Sequence, residues 1–275
     1  MRGSIKSYNA LMLLPRVLTA IVGIPLLLFL VHAGGAAFSV FVTGIAALCC
    51  YEYAMVLRLG GRPVQFLTTV VVGAALAACA ALSAPLGLTL AAGVALIALV
   101  ETFSAAHSLD RAALTLFGAL FAGWMPAHLA LIRDLRPHGE AFLLMTFVSV
   151  WCMDTAAYGV GRTLGRRSLA PVLSPKKTWE GAAGGFAAAL GVCALFSRFA
   201  LKDALPLPWA LAAGAVIGAT GQLSDLAESL VKRDAGIKDS GALLPGHGGV
   251  FDRFDSFILC APAVYYFLGC LPRPR

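Results

Sequence analysis

Apolar residues along this chain come in long unbroken runs, not in alternation with polar ones. Nine runs can be marked, at roughly 13–33, 36–57, 65–83, 85–103, 112–133, 141–161, 181–200, 207–231 and 254–271. Each approaches the ~20 residues that a helix rising 1.5 Å per residue needs to cross ~30 Å of hydrocarbon. None has the period-2 alternation of a membrane β-barrel strand. The pattern predicts an all-α, polytopic integral membrane protein with about nine transmembrane helices. The first run follows Arg16 and has the length of a signal peptide, but no clear small-x-small cleavage site follows it and further runs come at once. It is therefore expected to be retained as the first span.

Most connections between the runs are short. Two are long, polar and charged, at 162–180 and 232–253. No internal repeat is visible. Residues 1–275 read as a single membrane domain, with 1–135 as packing helices and 141–275 as the catalytic helices and their loops. Composition agrees: 59% of residues are apolar and 13% charged, against ~25% charged in an ordinary globular protein. With the N-terminus on the cytoplasmic side, fifteen Lys and Arg fall on that side and six on the other. This bias predicts N-terminus in, C-terminus out, and both long loops in the cytoplasm, as in a protein of the cytoplasmic (inner) membrane. The net charge of +7 is then read as facing anionic lipid, not nucleic acid. The seven cysteines are odd in number, form no CxxC and lie mostly in apolar runs. They read as small buried hydrophobes, with no disulfide scaffold and no thiolate zinc site.

Carboxylates inside an apolar run are costly and usually have a task. In "ATGQLSDLAESLVKRD", Gln222, Asp225, Glu228, Ser229 and Lys232 share one helical face, and Leu223, Leu226, Ala227 and Leu230 the other. A polar seam between helices is the plainer reading; a stripe flowing into a glycine-rich loop favours a site. In "WCMDTAAYGVGR", Asp154, Tyr158 and Gly161 again share a face, with small residues around them. The last span opens on "FDRFDS", where Asp252 and Asp255 flank Arg253 at a helix start that also suits carboxylates as caps.

The first long loop carries "SPKKTWEG": Ser174 and Pro175 suggest a turn, Lys176 and Lys177 add charge, and Thr178 is placed to cap the next helix. The second carries Gly241, Gly246, Gly248 and Gly249 among Lys232, Arg233, Lys238 and Arg253, with Asp239 and His247 beside them. His247 is read as bracing the turn or contacting phosphate. Hard carboxylates, bases and a close-approach glycine backbone together suit a polyphosphate carrying Mg²⁺. Zinc is disfavoured by a cluster with one histidine and no cysteine, and no GxxxxGK[ST] phosphate loop occurs.

From Ser229 to Asp255 the chain reads "SLVKRDAGIKDSGALLPGHGGVFDRFD". This resembles the C-terminal motif of the phosphatidate cytidylyltransferases, or CDP-diacylglycerol synthases. "SPKKTWEG" and "WCMDTAAYGVGR" also look like motifs of that family, in its order, while the first ~130 residues match only in hydrophobic layout. The resemblance implies a polytopic helical enzyme that turns CTP and phosphatidate into CDP-diacylglycerol and pyrophosphate. It implies Asp225 and Asp252 as principal metal ligands, with Asp154, Asp239 and Asp255 as second choices. Lys176, Lys177, Lys232, Arg233, Lys238 and Arg253 would hold phosphates, with Ser229 and His247 near them, and Gly248 and Gly249 would offer backbone N–H groups. It further implies Mg²⁺, with room for an assisting monovalent cation such as K⁺, and leaves room for a homodimer. Two other readings stand beside it: a CTP-dependent polyprenol kinase releasing CDP, and a cation or phosphate transporter. Glu52, Glu101 and His128 receive no role beyond packing or lining a cavity.

Overall fold

A computed structural model describes residues 21–82, 84–238, 240–241 and 248–271. Asp239, Pro245, Gly246 and His247 lie outside the described residues. Among these residues ten α-helices run in order: α1 (Ile21–Ala33), α2 (Gly35–Leu59), α3 (Phe66–Leu82), α4 (Leu86–Thr102), α5 (Leu109–Gly118), α6 (Met125–Arg133), α7 (Gly139–Leu164), α8 (Trp179–Phe199), α9 (Leu207–Asp234) and α10 (Phe251–Gly269). Helix occupies the described part of every apolar run. α5 and α6 share one run, joined by a π-helical stretch, Ala119–Trp124. Among the described residues, four segments are long and apolar enough to cross a membrane: Gly35–Leu59, Leu109–Arg133, Gly139–Leu164 and Trp179–Phe199.

The π stretch has local causes. Pro126, in the first turn of α6, has no N–H to give the carbonyl four residues earlier. His128 Nδ1 donates to the carbonyls of Trp124 (3.2 Å) and Met125 (3.1 Å) beside it. Gly123 sits against α3, where an added Cβ would come 2.5 Å from Gly73 Cα.

In a bilayer, helices gain little by hiding oil from oil, so close packing and small residues decide the contacts. Helices α7 to α10 pack in succession. At the α7–α8 contact, a Cβ on Gly181 would sit 2.7 Å from the Ala157 carbonyl oxygen, and one on Gly185 2.9 Å from that of Met153. At α8–α9, Gly214 lies equally close to Leu190 and Gly218 to Phe186. Leu143, Met153, Ile217, Phe257 and Cys260 form part of the core between these helices, and Phe38 of α2 joins them. Large apolar side chains such as Val40, Leu67, Leu99 and Leu195 point outward, as a lipid-facing surface requires. All seven cysteines are free; five are buried, Cys152 is half-buried and Cys270 exposed.

The connection at 162–180 corrects the purely helical expectation. It holds an antiparallel hairpin, β1 (Ser168–Ala170) with β2 (Ser174–Thr178), pairing Ser168 with Thr178 and Ala170 with Ser174. The protein is thus nearly all-α. Ser174 and Pro175 lie in the second strand; the turn is formed by 171–173. Proline is tolerated there because a two-stranded hairpin is all edge.

Candidate active site

The site forms where α7, α8, α9, α10 and the hairpin meet. Thr178 ends β2 and caps α8, its hydroxyl accepting the Gly181 N–H at 3.1 Å. Glu180, in the same first turn, accepts the N–H groups of Arg166 (3.0 Å) and Arg167 (3.3 Å). The hairpin is thereby pinned to the start of α8, and Lys177 Nζ reaches Asp225 Oδ2 on α9 at 2.5 Å. A cavity of about 560 Å³ opens here. Its polar lining includes Asp154 and Arg162 of α7, Lys176 and Lys177 of β2, and Gln222 and Asp225 of α9.

The α9 stripe holds as the spacing predicts. Gln222 Nε2 donates to the Ala182 carbonyl at 3.2 Å, Asp225 faces the cavity and Glu228 is wholly buried. Leu223 and Leu230 on the other face are 57% and 54% exposed. Lys232 Nζ lies 2.7 Å from Glu228 Oε2 and 2.7 Å from Asp252 Oδ1. Asp252 Oδ2 also accepts the N–H groups of Gly249 (3.0 Å) and Ser240 (3.1 Å). The bond to Gly249, three residues back, is the reach of a capping box, so Asp252 both caps α10 and fixes Lys232.

Asp225, Glu228 and Asp255 each present a carboxylate oxygen within 4.8 Å of one another. Glu228 Oε1 is buried and has no hydrogen-bond partner among the described residues. Such an atom is expensive to leave unmade, and three converging hard oxygens suit a divalent cation such as Mg²⁺. Asp225, Glu228 and Asp255 therefore have the chemistry to fit the expected ion. Asp252, expected with Asp225 as a principal ligand, contacts Lys232 and two backbone amides here, and Glu228 stands with Asp225 and Asp255. Asp154 stands on the cavity wall.

Of the remaining expected residues, Ser229 sits at 3.5 Å from Asp225 Oδ1. Lys176, Lys238 and Arg253 are exposed. Arg233 donates to the carbonyls of Leu173 and Ile237, both at 3.2 Å, tying the hairpin turn to the end of α9. Gly248 adopts φ +78°, a conformation that favours glycine. The Gly249 N–H is committed to Asp252, so it is occupied in the way a ligand phosphate would otherwise occupy it.

Together these features define a helical membrane protein whose charged pocket, built of carboxylates and lysines, sits at the joined ends of its C-terminal helices. The chain belongs to the cytidylyltransferase family, whose model matches residues 14–271. Among its relatives, a protein named phosphatidate cytidylyltransferase from Brucella suis is 36% identical over 264 residues, covering 94% of this chain and 94% of that protein. One of the same name from Synechocystis is 31% identical over 285 residues, covering 93% and 96%. Another from Bacillus subtilis is 40% identical over 162 residues, covering 58% and 59%.

Proposed function

We propose that this chain is a phosphatidate cytidylyltransferase: it transfers the CMP unit of CTP to phosphatidate, giving CDP-diacylglycerol and pyrophosphate. The observation that carries this reading is the convergence of Asp225, Glu228 and Asp255 beside Lys177 and Lys232, in a chain alike over 94% of its length to a relative of that name. The phosphate oxygen of phosphatidate attacks the α-phosphorus of CTP, the bond from that phosphorus to the bridging oxygen breaks, and pyrophosphate leaves. The attacking dianion has no proton to lose, so no strong general base is needed. The obstacle is the meeting of two anions. Lys176 and Lys177 set positive charge in the cavity wall, and Lys232 is fixed by two carboxylates at its edge. Asp225, Glu228 and Asp255 would hold Mg²⁺, which when bound neutralises phosphate charge. The cavity lies within the ~300–1,000 Å³ of ordinary ligand sites.

The same reading takes the nine helical runs as nine crossings of the inner membrane, with both long loops and the site on the cytoplasmic side. CTP then arrives from water, and phosphatidate presents its headgroup from the leaflet. The test is to mix purified protein with CTP, phosphatidate and Mg²⁺. CDP-lipid and pyrophosphate are expected. CDP with a phosphorylated lipid would establish a kinase instead, and ion movement into vesicles without turnover would overturn both.

A further inference from the structure

Glu52 belongs to α2, in the N-terminal half of the chain, yet its carboxylate is spent entirely on the C-terminal loop. It is 2% exposed. Oε1 accepts the Val250 N–H at 3.0 Å; Oε2 accepts the Phe251 N–H at 2.7 Å and the Ser240 hydroxyl at 3.2 Å. The residue that opens α10, Val250, offers no side-chain cap of its own. Glu52 supplies one from another helix, and a carboxylate is the group that the positive end of a helix holds best. The next amide back, Gly249 N–H, goes to Asp252. Three successive amides are thus divided between two carboxylates, one from outside the helix and one from within it. Ser240 is shared in the same way: its N–H goes to Asp252 and its hydroxyl to Glu52. The glycine at 249 follows from this, since a Cβ there would overlap both the Ser240 hydroxyl and the Glu52 carboxylate.

We infer that Glu52 is a positioning residue of the reaction: it clamps the start of α10 and Ser240 so that Asp252 keeps Lys232 at the edge of the site. The inference rests on the cytidylyltransferase reading, because Lys232 and Asp252 matter only if that site is the reacting one. An amide in place of the carboxylate must turn an NH₂ group towards one of the partners. In Glu52→Gln at least one backbone N–H of the α10 start therefore loses its acceptor, with side-chain volume unchanged.

Wild type and Glu52→Gln are compared in detergent by steady-state kinetics, thermal melting and hydrogen exchange. The expected result is a kcat at least tenfold lower in Glu52→Gln, both KM values within about threefold of wild type, and faster amide exchange confined to the start of α10. Ser240→Ala, which removes only the hydroxyl bond, is expected to give a smaller fall in kcat of the same kind. A kcat within twofold of wild type overturns the inference. So does a fall in activity that follows the folded fraction of the protein, or exchange that quickens throughout the bundle. Should Glu52→Gln fold too poorly for kinetics, Ser240→Ala decides by the same kcat and exchange criteria. An inactive wild type would instead overturn the cytidylyltransferase reading, and exchange at α10 would still report whether Glu52 holds the clamp.

Discussion

Lys232 is the residue through which the two sides of the site are joined. It touches Glu228 one turn back on its own helix and Asp252 at the start of α10. Removing Asp252 leaves Lys232 held by Glu228 alone, so the half-buried ammonium loses one of the two charges that offset its desolvation and is drawn towards its own helix. Asp252→Asn is accordingly expected to lower turnover by about 100-fold, the scale of a lost electrostatic contact in an active site. The protein should still fold, and near-normal turnover at an unchanged melting temperature would overturn the assignment. At this scale the sequence was informative where spacing alone decides. The offsets between Gln222, Asp225, Glu228 and Lys232 on α9 put them on one face, and they lie there. Asp252 and Asp255 were harder. Three residues apart, they point about 60° from one another around a 3.6-residue helix. That is enough for one to meet Lys232 and the other to meet Asp225 and Glu228, and which one does which depends on neighbours that spacing cannot name. Glu52 was invisible for a stronger reason: its partners lie 188 to 199 positions away.

Among the elements, α8 shows how a short sequence sets a geometry. Thr178 stops the strand and starts the helix, and Gly181 and Gly185 then let α8 lie against α7. Gly185→Val is expected to force backbone apart at Met153 and to cost about 3 kcal/mol, at the upper end for overpacking. The check is thermal melting in detergent, and an unshifted melting temperature would refute the close contact. The helices themselves were legible because hydrophobic length is a strong and local signal. The hairpin was not, because strands of three and five residues leave no period to detect, and Ser-Pro has a strong turn preference. The π stretch before α6 carried only one clue, Pro126, and a proline does not say whether a helix will break, bend or widen.

For the whole molecule, the charge asymmetry across the runs leads to a concrete expectation about sidedness. A cysteine placed at Val172, exposed in the hairpin turn, should react with an impermeant maleimide only in inverted vesicles. One placed at Asp203, an exposed residue of the α8–α9 connection, should react only in intact cells. Cys270 is replaced by serine first, because it is the exposed native cysteine. Labelling of both positions from the same side would refute the orientation. The division into packing and catalytic halves, read from where the polar residues lie along the chain, takes no account of α2, whose Glu52 holds the loop that α10 grows from. Helix α9 has its own consequence at this scale. The turns that carry Asp225 and Glu228 inward carry Leu223 and Leu230 outward, so a single helix, about 10 Å across, stands between the charge cluster and the outer apolar face of the bundle. Among the described residues, the pocket is where Asp225 of that cluster opens to water. Phosphates bound there would feel an effective dielectric nearer ~20 than the ~80 of bulk water, and each lysine would pull on them correspondingly harder.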